Sequence, residues 1–324
     1  MALTRAHIVR LSGGLALAAV LIWLVLRKVD WEPFLEGLAA CRWGWVLASM
    51  GCGLLALILR GLRWRRLLLP IDRETTRRQS ITAYCIGNLC NSALPTSGEW
   101  VRCGIVTRDK SRFDRVLGTA AAERIVDLST LGGILILLAL FGWTFIGRFV
   151  TDNIIGPLAA FCRQPSTLLT VLTAVLLPGA AIALVWLAGK KIRAFSRVKG
   201  FLLGILQGVT SILHMPGKTG FLLDTAGIWA LYGLQVMGIS LALGLGMLPK
   251  DAMLLSALGS IASVIPVPGG IGAYHYLIAL CLSSLYGMSW SEGLLFATLC
   301  HESQLLVSIL SALGSWLILP ENKE

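Results

Sequence analysis

The chain has 324 residues, 56% of them hydrophobic and 14% charged, where an average soluble domain is about 25% charged. With a mean hydropathy of +0.77, this composition excludes a soluble globular enzyme and a disordered nucleic-acid-binding tail. It leaves an all-α polytopic membrane protein, because a membrane barrel would alternate over ten-residue segments. The net charge of +11 then reads as basic residues holding loops against anionic lipid, not as the footprint of a nucleic acid.

In chain order, Arg5 and Arg10 precede the apolar run Leu11–Leu26, which leads into Arg27-Lys28-Val29-Asp30 without a small-x-small cleavage pattern. The segment 8–26 is read as a retained first span. Further spans of the roughly 20 apolar residues that a bilayer requires fall at 43–62, 116–143, 166–188, 220–246 and 292–319. Four apolar segments are too short or too interrupted to cross comfortably: Ser80–Leu94, Phe201–Met215, Asp251–Ile265 and Ala273–Tyr286.

Loop charge sets orientation. Residues 60–78 hold seven arginines, at 60, 63, 65, 66, 73, 77 and 78, and are expected to form a cytoplasmic loop, with the N-terminus on the same side. Arg102 to Arg115, with Arg108, Lys110 and Arg112, is a second basic loop, and Lys190 to Lys199 a third. A single crossing between the first two would put one of them outside, so Ser80–Trp100 is expected to enter and leave from one side. Its tip would be Leu94-Pro95-Thr96-Ser97-Gly98-Glu99. The second half repeats the plan, with a tip at Ile265-Pro266-Val267-Pro268-Gly269-Gly270-Ile271-Gly272. The fold expected is thus one integral membrane domain over 1–324, with about six spans and two Pro/Gly-tipped re-entrant hairpins. Units of about 43–147 and 220–319 form an inverted repeat if Phe201–Met215 lies in the interface, and a parallel one if it crosses.

Irregular backbone at membrane depth survives where protein or a watery cavity satisfies its polar groups, and ionisable side chains there face the bundle interior. The two tips therefore point to a central polar cavity. On span 116–143, Glu123 and Asp127 are four residues apart and share a face, and Arg124 is spaced to pair with Asp127. Glu99 stands at the first tip with Arg102 one turn on. His275 follows the second tip, and His301 and Glu302 lie in the final span. Arg124 and Arg102 are expected to hold a phosphate, with Glu99, Glu123 and Asp127 exchanging protons or positioning an amine. An ion-pair network that merely fixes helix register is the plain alternative. Asp224, near a span end, is expected to be solvated.

Other chemistries find little support. The eight cysteines contain no C-x-x-C and read as small buried hydrophobes. His301-Glu302-Ser303-Gln304 starts like a zinc-protease helix, but position 305 is leucine, and the four histidines (7, 214, 275, 301) show no ligand-like clustering. No metal, cofactor, P-loop or dinucleotide fingerprint is expected.

Asn88, then Leu94-Pro95-Thr96-Ser97-Gly98-Glu99-Trp100-Val101-Arg102 and Glu123-Arg124-Ile125-Val126-Asp127, resemble the N-x-x-x-P-x-x-x-G-E-x-x-R and E-R-x-x-D patterns of the lysylphosphatidylglycerol synthetase transmembrane, or flippase-like, family. Pro266-Val267-Pro268-Gly269-Gly270-Ile271-Gly272 resembles its P-x-P-G-G-I-G signature. The chain departs in having fewer residues between Asn91 and Gly98, Tyr274-His275 where an acidic residue often follows the second tip, and His301-Glu302 where an arginine is common. The resemblance implies a translocation unit without the aminoacyl-transfer domain, not itself an enzyme, multi-pass in the bacterial inner membrane. Its partner would be an anionic or aminoacylated phospholipid, or a lipid-linked sugar, moved between leaflets. The site it implies comprises Asn88, Pro95, Gly98, Glu99, Arg102, Glu123, Arg124, Asp127, Pro266, Pro268, Gly269, Gly270, Gly272, His275, His301 and Glu302. The alternative function is a membrane subunit presenting a lipid-linked substrate to a separate glycolipid or polyprenyl-phosphate enzyme.

Overall fold

The computed structural model describes residues 19–107, 109–152, 156, 193–263, 265 and 267–318, and these form helices joined by turns. Residues 19–26 are helical and lead to α1 (Trp31–Ala39) and α2 (Trp43–Leu68). A helical hairpin follows, α3 (Arg77–Ala93) and α4 (Ser97–Val106), and then the 38-residue α5 (Phe113–Val150). After α6 (Arg193–His214) the plan recurs, with α7 (Lys218–Ala242), a hairpin of α8 (Pro249–Ala262) and α9 (Ala273–Tyr286), and α10 (Trp290–Ile318).

Three of these helices are long and apolar enough to cross a membrane: Trp43–Leu68, Lys218–Ala242 and Trp290–Leu317. They match the expected spans at 43–62, 220–246 and 292–319, and 116–143 lies inside α5. Most of 8–26 and all of 166–188 fall outside the described residues. Leu54 and Leu55 on α2, Leu222 and Leu223 on α7, and Leu310 and Leu313 on α10 are exposed. So much apolar surface is unfavourable against water and suits lipid tails.

α2 and α7 pack along each other at the centre, with Ser49 Oγ donating to the Gln235 carbonyl at 3.0 Å. The main core draws Val236 and Ile239 from α7, Leu255 and Leu258 from α8, Ile278 and Leu282 from α9 and Phe296 from α10. Each hairpin also packs against the long helix of the other half, α3 on α10, and α8 and α9 on α5. The seven described cysteines are free and mostly buried.

One expectation fails in an informative way. The basic run 60–78 is not a loop, because α2 continues to Leu68 and α3 begins at Arg77 with a capping box between Thr76 and Gln79. Only Arg73 of the seven arginines lies in the connection. Arg63 is fully buried, Arg65 donates to the Thr75 carbonyl at 2.7 Å, and Arg66 pairs with Asp224 at 2.8 Å. Asp224 is therefore not a solvated helix end; its side chain is 13% exposed.

Candidate functional site

The first hairpin turns at Leu94-Pro95-Thr96. Proline bars the residue before it from the helical region, and Leu94 is extended at φ −140°. Thr96 follows at φ 67°, the one non-glycine residue in the left-handed region among those described. Ser97 Oγ reaches the Cys90 and Leu94 carbonyls at 2.8 and 2.7 Å, adding to the backbone bonds these accept from Leu94 and Ser97. The Gly98 amide donates to Asn91 Oδ1 at 2.8 Å. The two helices then cross at Gly87 and Gly98, where a Cβ on Gly98 would overlap the Gly87 carbonyl oxygen. This close crossing points Arg102 into the core, where it is buried.

Arg102 meets a compact charged cluster. Its Nη1 lies 2.7 Å from Glu123 Oε2 on α5, and its guanidinium sits 4.7 and 4.6 Å from the rings of Trp64 and Tyr84. From α2, Arg63 Nη2 reaches Glu123 Oε1 at 3.0 Å and Asp127 Oδ1 at 2.6 Å. Arg60 Nη2 reaches Asp127 Oδ2 at 2.6 Å, and its Nη1 donates to the Tyr232 hydroxyl on α7 at 2.6 Å. Side-chain exposure runs from 0% for Arg63 and 1% for Glu123 to 17% and 18% for Arg60 and Asp127. Spacing produces the match, since Arg60 and Arg63 at i, i+3 on one helix face Glu123 and Asp127 at i, i+4 on another.

Charge does not balance in this cluster. Three guanidiniums, which stay protonated in proteins, face two carboxylates, leaving one positive charge over. Arg60 Nε and Arg63 Nε are buried and have no hydrogen-bond acceptor. Unmet buried donors are unfavourable until they find an acceptor.

Arg124 is not part of the cluster and does not pair with Asp127. It points the other way along α5, is half exposed, and forms an ion pair with Glu99 at the start of α4. Asn91 Nδ2 also approaches Glu99 Oε1, at 3.4 Å, while Glu99 Oε2 is buried without a partner. Asn88 links the hairpin to the other half, donating to Ser308 Oγ on α10 at 2.7 Å.

The second tip is built differently. Pro268–Gly270 forms a short 3-10 turn, and Gly269, Gly270 and Gly272 take φ of 64°, 71° and 85°, a region that glycine enters without steric cost. Pro266 lies outside the described residues. His301 Nε2 is 2.7 Å from the Gly269 carbonyl, and its Nδ1 is 3.0 Å from Glu302 Oε1. His275, one turn into α9, places Nε2 3.8 Å from the same carboxylate oxygen. The histidines thus cluster after all, because the Gly-rich turn brings α9 and α10 together at a point that sequence separation conceals. The tip also touches the first hairpin, since a Cβ on Gly269 would lie 3.4 Å from the Ser92 carbonyl oxygen.

Of the expected site residues, Arg102, Glu123 and Asp127 meet in one cluster, Glu99 pairs with the half-exposed Arg124 instead, and Arg60, Arg63, Tyr84 and Tyr232 join the cluster without having been expected there. The signal for the two arginines was their three-residue spacing at the end of an apolar run, opposite a helix carrying two carboxylates at helical spacing. Two cavities of about 420 and 470 Å³ share Pro70, Ile71 and Arg112 in their linings, and neither is lined by a tip residue.

Apolar helices, lipid-suited faces and a buried charged cluster define a multi-pass α-helical membrane protein. Comparison with known families is specific: the lysylphosphatidylglycerol synthase TM region family matches residues 11–312. The chain belongs to that family. No curated protein and no solved structure matches it.

Proposed function

We propose that the protein is a lipid translocase that passes a phosphate-bearing polar headgroup between leaflets while the acyl tails stay in the bilayer. The observation that carries this reading is the buried cluster of Arg60, Arg63 and Arg102 with Glu123 and Asp127, one positive charge in excess and with unmet donors on Arg60 and Arg63. A phosphodiester carries one negative charge and several acceptor oxygens, which guanidiniums recognise well. Glu123 and Asp127 hold the arginines in position, and the Glu99–Arg124 pair stands beside the path at the first tip. The family's name, which refers to lysylphosphatidylglycerol synthase, supports a lipid as the molecule handled.

In this reading both hairpins are re-entrant, and the two helix–hairpin–helix units are related by inversion. The reciprocal packing of each hairpin on the other half's long helix supports that relation. Substrate sites near the midplane, where broken helices of two such repeats meet, recur among transporters. The N-terminus lies on the cytoplasmic side, with Arg73, Arg77, Arg78, Arg112 and Arg115 facing anionic lipid.

The test is leaflet exchange in proteoliposomes, with reporter-labelled anionic, aminoacylated, zwitterionic and glycosylated lipids. Exchange above protein-free vesicles for at least one phosphate-bearing class supports translocation. Unchanged rates across the panel, with a lipid-modifying enzyme co-purifying, would favour a subunit that presents lipid to that enzyme.

A further inference from the structure

The second tip holds a contact that calls for positive charge, supplied either by a second ring proton on His301 or by a metal ion. The Gly269 carbonyl only accepts, so the 2.7 Å contact puts a hydrogen on His301 Nε2. In the neutral ring Nδ1 then carries a lone pair, yet it faces the carboxylate oxygen of Glu302 at 3.0 Å. Two lone pairs at that distance repel unless a positive centre lies between or beside them. His275 Nε2, 3.8 Å from the same oxygen, turns toward the same point.

From this we propose that His275, His301 and Glu302 form a binding site for one divalent transition-metal ion of the zinc class, which fastens the second hairpin tip to the final helix. Donor atoms of the three residues lie within 4.8 Å of one another. The contacts of 3.0 and 3.8 Å bracket the separation of roughly 3.3–3.5 Å that tetrahedral bonds of about 2.0–2.1 Å impose. Two imidazoles and a carboxylate suit zinc, cobalt or nickel better than magnesium or calcium, which take all-oxygen shells.

The outer shell fits as well. His301 donates its remaining N–H to a backbone carbonyl, which fixes the tautomer that leaves Nδ1 free to bind. Binding through His275 Nε2 moves that ring's hydrogen to Nδ1 and gives up only the contact from the Gly272 amide, already long at 3.4 Å. Both imidazoles are largely shielded, at 10% and 13% exposure, while the Glu302 side chain is 45% exposed. The fourth position therefore opens on the Glu302 side, where water or an oxygen of an anionic headgroup completes the shell. Because Gly269 is held through His301, occupancy of the ion stiffens the tip itself. The site stands independently of lipid movement, since it is read from metal binding alone.

The experiment uses the full chain purified in detergent on a non-histidine affinity tag, stripped with chelator and titrated with Co²⁺, then with Zn²⁺. The expected result is one Co²⁺ per chain, with the visible d–d bands of tetrahedral cobalt, displaced by Zn²⁺ and retained in His214→Ala. Glu302→Gln, at a half-exposed position that tolerates the change, weakens binding by more than the roughly 10–100-fold that loss of an outer-shell partner costs, and His301→Ala abolishes it. Failure of the wild-type chain to bind cobalt stoichiometrically would overturn the proposal. So would unchanged binding in Glu302→Gln or in folded His301→Ala.

Discussion

The two hairpins share a plan but not an electrostatic character. The first closes in the three residues Leu94-Pro95-Thr96, crosses at Gly87 and Gly98, and delivers Arg102 into a cluster of permanent charges. The second turns over a longer stretch containing three positive-φ glycines and ends on two imidazoles and one half-exposed carboxylate. Guanidiniums only donate, whereas a neutral imidazole nitrogen offers a lone pair to a cation. One supersecondary unit thus carries a cluster of arginines and carboxylates in one half and a His-His-Glu cluster in the other. What differs is which side chains stand one turn past each tip.

The contrast breaks most readily at Glu123. Replacing it with alanine leaves Arg63 with Asp127 as its one carboxylate and strips Arg102 of its ion-pair partner, both in the buried interior. Removing one partner of a buried ionic set typically costs about 3–5 kcal/mol, so thermal unfolding in detergent should show a severely destabilised or unfolded protein. Next in size is the hairpin crossing. Gly98→Ala drives a methyl into the Gly87 carbonyl and should destabilise by about 1–3 kcal/mol. Gly104→Ala on the same helix meets nothing within 4 Å and should be neutral or stabilising by up to about 1 kcal/mol. Melting the two variants side by side separates close approach from helix propensity.

A smaller effect of opposite sign is expected at Thr96. Changing it to glycine gives the first tip the residue type that the second uses at positive φ, and should stabilise by about 1 kcal/mol. The smallest change belongs to Glu302. Its alanine variant, measured free of metal, should melt within about 0.5 kcal/mol of wild type, because the side chain is half exposed and the histidines keep their backbone contacts. A large loss there would mean that the second site resembles the first more closely than its exposure implies.

Helix positions were legible in the sequence wherever apolar length alone decided them. α9 falls at Ala273–Tyr286, the bounds that its flanking glycines mark, and α2, α7 and α10 follow their apolar runs. The basic run that ends α2 is not legible as helix from charge alone, because charge is commonest in loops. A helix can carry charge inward when another helix offers partners, and Arg60 and Arg63 find theirs on α5, about sixty residues along the chain. Arg124 shows the converse, since a three-residue spacing to Asp127 permits a pair that tertiary contacts with Glu99 and with α2 override. The pairing of His275 with His301 lay beyond sequence reasoning altogether, because it depends on how a Gly-rich turn folds back.

The surplus positive charge of the first cluster is the feature on which the translocation account rests, and Arg60→Gln tests it most directly. That change neutralises the excess while leaving Glu123 with Arg63 and Arg102, and Asp127 with Arg63, so the fold should persist. Leaflet exchange of a phosphate-bearing anionic lipid in proteoliposomes should fall by about ten- to a hundredfold, the equivalent of one charge-assisted hydrogen bond, with the melting temperature little changed. Exchange at the wild-type rate by folded Arg60→Gln would contradict the account.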